Sequence, residues 1–226
     1  MIEEVLRVDA DGLALEARLG YAEESAAPLG AVLICPPHPF LGGDMDNNVL
    51  QALAASLAAA GLPVLRFNYR GIGASETARE LDDDQREFWQ HSCCPRYEAE
   101  IMRDAAGAYD ALRRLLPEVE AVSVVGYSFG CLPALAIARR ATLTRLALIS
   151  PPLVKWAIAA AAYDLPLPRA LFYAPGDFAC PRERIEALHA GAAGERELHA
   201  FPAADHFFIG HEAALAAAVT NFLVPP

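Results

Sequence analysis

No run of basic residues long enough to grip a phosphate backbone occurs in this 226-residue chain, whose net charge is −11 and whose pI is about 4.9. Nucleic acid is therefore excluded as an expected partner. An acidic surface favours solubility and weakly disfavours polyanionic substrates. The opening residues, Met1-Ile2-Glu3-Glu4-Val5, carry no apolar stretch of the secretory kind, so no leader is expected there. The Ala-rich stretches are broken by polar residues and prolines, so no membrane span is expected. There are five cysteines, an odd number, and no C-x-x-C pair. That excludes a disulfide framework and leaves free thiols in a reducing cytoplasm as the expected state. The adjacent Cys93-Cys94 reads as two ordinary thiols. No P-loop and no H-E-x-x-H occurs, and Arg70-Gly71-Ile72-Gly73 lacks the third glycine of a dinucleotide loop. No cofactor and no catalytic metal is expected. No repeat, low-complexity stretch or linker divides the chain, so residues 1–226 read as a single domain.

What is present is a large apolar fraction, 54%, arranged in short runs separated by helical patterns. Residues 3–8 and 12–19 read as two strands around an Asp11-Gly12 turn. Ala31-Val32-Leu33-Ile34-Cys35 is apolar throughout, as are 63–67 apart from Arg66, 121–125 apart from Ser123, and much of 143–149 and 169–174. A last strand is expected at 196–201. Helices are expected from about Asp46 to Gly61, over 98–116, after residue 130, and over 182–190 and 211–223. Apolar strands without alternation, separated by helices, indicate an α/β fold: a mostly parallel, twisted sheet of about eight strands covered on both faces. Two segments break the pattern. Residues 76–97 are polar and mixed, and 150–168 are rich in proline and alanine. Both follow strand ends on the side where such sheets place their sites, so both are candidate lid or pocket-wall elements; ordinary surface loops are the plainer alternative.

The chemistry concentrates in Gly126-Tyr127-Ser128-Phe129-Gly130, which directly follows one apolar strand and directly precedes a helical run. A G-x-S-x-G in that setting lifts a serine hydroxyl above the sheet edge on a tight turn. Flanking glycines let strand and helix pass close together, and the first unpaired N–H groups of the helix lie beside the hydroxyl. A serine needs a base. Of six histidines, His206 is best placed, in Ala204-Asp205-His206-Phe207-Phe208 just after the last strand; His211 is the nearest competitor. The base needs a carboxylate to orient it. Asp177 lies just beyond strand 169–174, although Pro175-Gly176-Asp177 is also a plain turn signature. The tetrahedral intermediate needs N–H donors. The N–H of Phe129 is one expected donor. The other is expected from the loop after residue 35, where Pro36, Pro37 and Pro39 have no N–H to give; Phe40 is the first choice and Leu41 the second. His38, Tyr127, Trp156 and Phe207 are candidate pocket residues.

The order Ser128, Asp177, His206 is that of α/β-hydrolases. Three further stretches carry a closer resemblance: Pro37-His38-Pro39-Phe40-Leu41-Gly42-Gly43-Asp44-Met45-Asp46-Asn47-Asn48, Leu65-Arg66-Phe67-Asn68-Tyr69-Arg70-Gly71-Ile72-Gly73-Ala74-Ser75, and Asp205-His206-Phe207-Phe208. With the elbow, they resemble the small bacterial hydrolases of the α/β-hydrolase superfamily that have little or no cap domain, with a P-H-P-x-x-G-G-x-M-D-N motif. The resemblance spans about residue 31 to 210. It implies a serine hydrolase with these three residues as its triad and says little about substrate; taken with the free thiols, the reading is a cytoplasmic serine hydrolase with a small-molecule acyl substrate, an ester or thioester of small or medium size. A small-amide or peptide hydrolase with the same triad is the alternative, and a non-catalytic binding protein on the same fold is a third reading. The chain departs from the pattern at Ala174, where the family has glycine, at Asn48, where it has lysine, in the polar 76–97 segment, and at Pro133, which is expected to disturb the first turns of the elbow helix.

Overall fold

Asp11 and Gly12 both take left-handed backbone angles, φ 58° and 77°, the geometry of a two-residue hairpin turn. They join β1 (Ile2–Ala10) to β2 (Leu13–Tyr21) in an antiparallel pair. The computed structural model describes residues 1–23 and 28–224. After the hairpin, strand and helix alternate: β3 (Ala31–Cys35), α1 (Asn48–Ala59), β4 (Val64–Phe67), α2 (Asp82–His91), α3 (Pro95–Leu115), β5 (Val122–Tyr127), α4 (Cys131–Arg140), β6 (Leu146–Ile149), α5 (Ala160–Tyr163), β7 (Arg169–Tyr173), α6 (Arg182–Ala190), β8 (Arg196–Ala200) and α7 (Glu212–Leu223). They build one eight-stranded sheet in the order β1-β2-β4-β3-β5-β6-β7-β8. From β4 to β8 every pairing is parallel; β2 runs antiparallel to β4.

The apolar strands are explained by burial on two faces. In β3, Ala31, Leu33 and Cys35 pack with Ile101 and Ala105 of α3 and with Ala134 of α4. Val32 and Ile34 point the other way, into the core under α1 and α7 with Leu53 and Val219. A strand covered on both sides has no polar face to show. Among the described residues no helix is long and apolar enough to cross a membrane.

Two local expectations are corrected. The polar 76–97 segment contains a helix, α2, whose first turn is Asp82-Asp83-Asp84 and whose last turn holds His91. Acidic residues at the start and a basic one at the end complement the helix dipole, and that pattern was the signal for it. Pro133 leaves α4 intact: it lies in the first turn, where a missing N–H is tolerated.

The elbow fixes the distance between β5, β3 and α4. A Cβ on Gly130 would stand 2.1 Å from the Cys35 carbonyl oxygen, and one on Gly126 would stand 2.5 Å from the Gly130 carbonyl oxygen. Neither obstacle is a flexible side chain, so the backbone itself would have to move. Gly130→Ala is expected to destabilise the protein by at least about 3 kcal/mol, the upper range for overpacking, as read from urea unfolding. Gly176→Ala is the control, because a Cβ there meets nothing within 4 Å, and a change under about 1 kcal/mol is expected. Equal midpoints for the two variants would refute the close-packing account.

Candidate active site

β5 ends at Tyr127, a single 3₁₀ turn covers Ser128–Gly130, and α4 starts at Cys131. Ser128 takes φ 53°. A left-handed conformation is costly for a residue with a Cβ, and here it turns the hydroxyl out of the sheet instead of into it. Ser128 Oγ lies 3.1 Å from His206 Nε2. His206 Nδ1 lies 2.9 and 2.8 Å from the two Asp177 oxygens. A carboxylate only accepts, so the imidazole proton sits on Nδ1 and the Nε2 lone pair is left to accept from the serine hydroxyl. The three side chains come from the ends of β5, β7 and β8, and all are buried: 9% exposed for Ser128, 4% for Asp177 and 7% for His206.

The supports of this chain of bonds are local. Asp177 Oδ1 also accepts the N–H groups of Ala179 (2.7 Å) and Cys180 (3.1 Å). The Asp177 N–H donates to the Ala174 carbonyl at 3.0 Å, so the turn closes with alanine where the family has glycine. Burial pushes the Asp177 carboxyl up, but the hydrogen bond and charge of His206 and the Ala179 N–H outweigh it and hold the group below its ordinary value. The Tyr127 hydroxyl donates to the His206 carbonyl at 2.7 Å. The Asn48 side-chain amide donates to the Phe207 carbonyl (3.1 Å) and to Glu212 (2.8 Å), tying the histidine loop to α1 and α7. Among the described residues no other histidine hydrogen-bonds Ser128. His211 precedes α7, and His199 stacks on Phe172 and bonds Glu197.

The loop after β3 corrects the expectation for the second oxyanion donor. The N–H of Phe40 donates to His38 Nδ1 at 3.2 Å. The N–H groups of Leu41 and Gly43 donate to the His38 carbonyl, and that of Gly42 to the Pro39 carbonyl. Phe40 is buried and stacked on Tyr97 at 4.4 Å; the exposed Leu41 side chain lies at the pocket rim. With three prolines lacking the group, the His38 N–H is the one amide from 36 to 43 without a partner among the described residues. Elimination by proline alone could not see this, because it passed over His38 as a backbone donor.

A cavity of about 320 Å³ opens at Ser128, within the range of small-ligand sites. Of the expected pocket residues, His38, Tyr127, Trp156 and Phe207 all line it. Pro152, Val154 and Lys155, from the expected pocket-wall segment, line it too without having been singled out, as does Phe178, which was not expected. Their signal was position: Phe178 follows Asp177 directly, and Lys155 precedes Trp156. The 150–168 segment thus forms a wall of the cavity. The 76–97 segment contributes nothing to the lining but backs it: Phe88 stacks on the His38 ring at 4.4 Å. Burial, followed by the nearby Lys155 charge, lowers His38 to about 3, so its ring is neutral. Because Nδ1 accepts from Phe40, the ring proton is on Nε2, and Nε2 is buried with no partner among the described residues. Such an orphan costs about 1–3 kcal/mol.

Comparisons with known proteins agree with this architecture. A curated relative, the uncharacterized protein RP471 of Rickettsia prowazekii (strain Madrid E), is 31% identical over 139 residues, 61% of this chain and 51% of that protein. The chain therefore spans about half the length of that relative. A solved α/β serine hydrolase homologue from Coxiella burnetii superposes with a TM-score of 0.80 at 22% identity, covering 99% of both chains. Est1E from Butyrivibrio proteoclasticus, solved with ferulic acid bound, has a TM-score of 0.76 at 19% identity, covering 96% of this chain and 97% of that one. The model of the α/β-hydrolase fold family matches residues 32–209. Since that match runs from β3 to just past His206 and covers most of the chain, the protein belongs to the α/β-hydrolase family.

Proposed function

We propose that the protein is a serine hydrolase that cleaves small or medium carboxylic esters or thioesters through an acyl-enzyme. The observation that carries this is the unbroken series of hydrogen bonds from Ser128 through His206 to Asp177, with the serine at the floor of an apolar cavity. In the first half-reaction Ser128 Oγ attacks the carbonyl carbon while His206 Nε2 takes its proton. The imidazolium, steadied by Asp177, then protonates the leaving alcohol or thiol. In the second half-reaction water attacks the acyl-enzyme, His206 takes the water's proton, and Ser128 is released with the acid. Est1E, solved with ferulic acid bound, and the α/β serine hydrolase homologue share this fold, which supports the reading.

The negative charge that develops on the carbonyl oxygen needs two donors. The Phe129 N–H lies in the first turn after the elbow, where helical N–H groups have no intrahelical partner. The His38 N–H is assigned as the second, in place of Phe40 and Leu41. Replacing the peptide N–H of residue 38 by an ester oxygen is expected to lower kcat by about 10²–10³, the usual effect of one oxyanion donor. The same replacement at residue 40 is expected to cost far less. Equal losses at the two positions would reject the assignment.

Labelling with a fluorophosphonate tests the function itself. Stoichiometric modification of Ser128, located by mass spectrometry, is the expected result. A folded protein that resists the probe would remove the reading.

A further inference from the structure

Lys155 is the only lysine in the sequence; every other basic side chain of its kind is an arginine. It is also the one lysine or arginine among the described residues that line the cavity at Ser128. Its Nζ lies 4.1 Å above the Phe88 ring and 4.0 Å above the Trp156 ring, so the ammonium rests against aromatic faces of both α2 and the 150–168 segment. Lys155 is an exposed residue at the cavity, and among the described residues it forms no ion pair, whereas the buried cations of the chain do. Arg70, for instance, meets Asp104 at 2.6 Å. Glu98 is the acid whose charge acts on Lys155, and its carboxylate already accepts the Trp156 indole N–H and the Cys94 N–H, both at 3.2 Å.

The second observation is independent of charge. His38, 1% exposed, is a neutral ring beside Lys155 whose Nε2–H donor has no partner among the described residues. Its Nδ1 is turned back to its own loop, so the opposite nitrogen points away from that loop. Its ring stacks on Trp156 at 6.1 Å and lies edge-on to Phe129 at 4.8 Å. One cation without a counter-ion and one neutral donor without an acceptor thus share an aromatic-walled subsite beside the nucleophile.

Resting on the serine-hydrolase reading above, we propose that the pocket selects esters bearing a single carboxylate, which Lys155 pairs and His38 helps to orient. A carboxylate has two acceptor oxygens, enough for both donors. A polyanion would meet the net charge of −11 with only one cation to receive it. A lone carboxylate is therefore the anion that fits.

Matched substrates test this. On the acyl side the pair is the mono-p-nitrophenyl ester of glutaric acid and its uncharged isostere, p-nitrophenyl 5-methylhexanoate. On the alcohol side it is 4-carboxyphenyl acetate and 4-carbamoylphenyl acetate. The quantity read is the ratio of kcat/KM within each pair, which cancels any general loss of activity. In the wild type one pair is expected to favour its charged member by about tenfold or more, in line with a charge-assisted hydrogen bond. That ratio is expected to collapse in Lys155→Gln, to invert in Lys155→Glu, and to fall as salt is raised. No preference in either pair, or a preference that survives Lys155→Gln, overturns the proposal while leaving the hydrolase reading intact. Absence of turnover with every ester instead counts against the hydrolase reading. Binding then decides the subsite: monomethyl glutarate should give a saturable change in Trp156 fluorescence in the Trp89→Phe background, lost on adding Lys155→Gln. No saturable change there overturns the subsite as well.

Discussion

Ser128→Ala is expected to lower ester turnover by about 10⁶-fold, the loss seen when the serine of a cooperating serine-histidine pair is removed. No other hydroxyl hydrogen-bonds His206 Nε2 among the described residues, so nothing stands in for the nucleophile. The residual rate should come from the oxyanion donors and binding alone. The variant should fold. Ser128 already bears the left-handed backbone, φ 53°, and alanine has a similar cost there, while among the described residues the serine hydroxyl bonds nothing but the histidine. Steady-state kinetics on a p-nitrophenyl ester, with a thermal melt to confirm folding, checks both points. A variant that keeps more than about one hundredth of the wild-type rate would put the chemistry elsewhere.

Asp177→Asn is expected to cost about 10⁴-fold in kcat, by a different route. The asparagine can keep the turn by accepting the Ala179 and Cys180 N–H groups through its oxygen. Its amide then faces His206 as a donor, drawing the imidazole proton to Nε2, where it blocks acceptance from the serine. Acid stability supplies a second readout. Asp177 is held below its ordinary value in the folded protein, so its contribution is present above the unfolded value of about 3.9. It is lost as pH falls through the lower folded value. The gap in stability between wild type and Asp177→Asn should therefore narrow below about pH 4. A constant gap from pH 7 to pH 3 would show that the Asp177 charge does not stabilise the fold.

Much of this arrangement was legible in the chain because its signals are local or ordinal. The elbow needs only five residues and their flanks. Asp177 and His206 could be placed because each follows directly on an apolar strand, and parallel sheets gather strand ends on one side. What escaped was non-local or hidden in side-chain competition. The helix Asp82–His91 buries few residues, so it has almost no apolar stripe to display. The Phe40 N–H is taken by an imidazole two residues away, a contact that depends on the rotamer of His38. The contact of Lys155 with Phe88 joins residues 67 positions apart in sequence, with no pattern linking them.

The wall built by residues 152–156 joins β6 to β7, while the nucleophile and the histidine leave from β5 and β8. The Lys155 side of the proposed subsite is thus carried on a stretch of chain separate from the nucleophile and the histidine. A transplant of 151–158 from a relative should re-tune which molecules enter while the bond-breaking apparatus runs as before, which makes this crossover the natural place for evolution, or an engineer, to exchange one clientele for another.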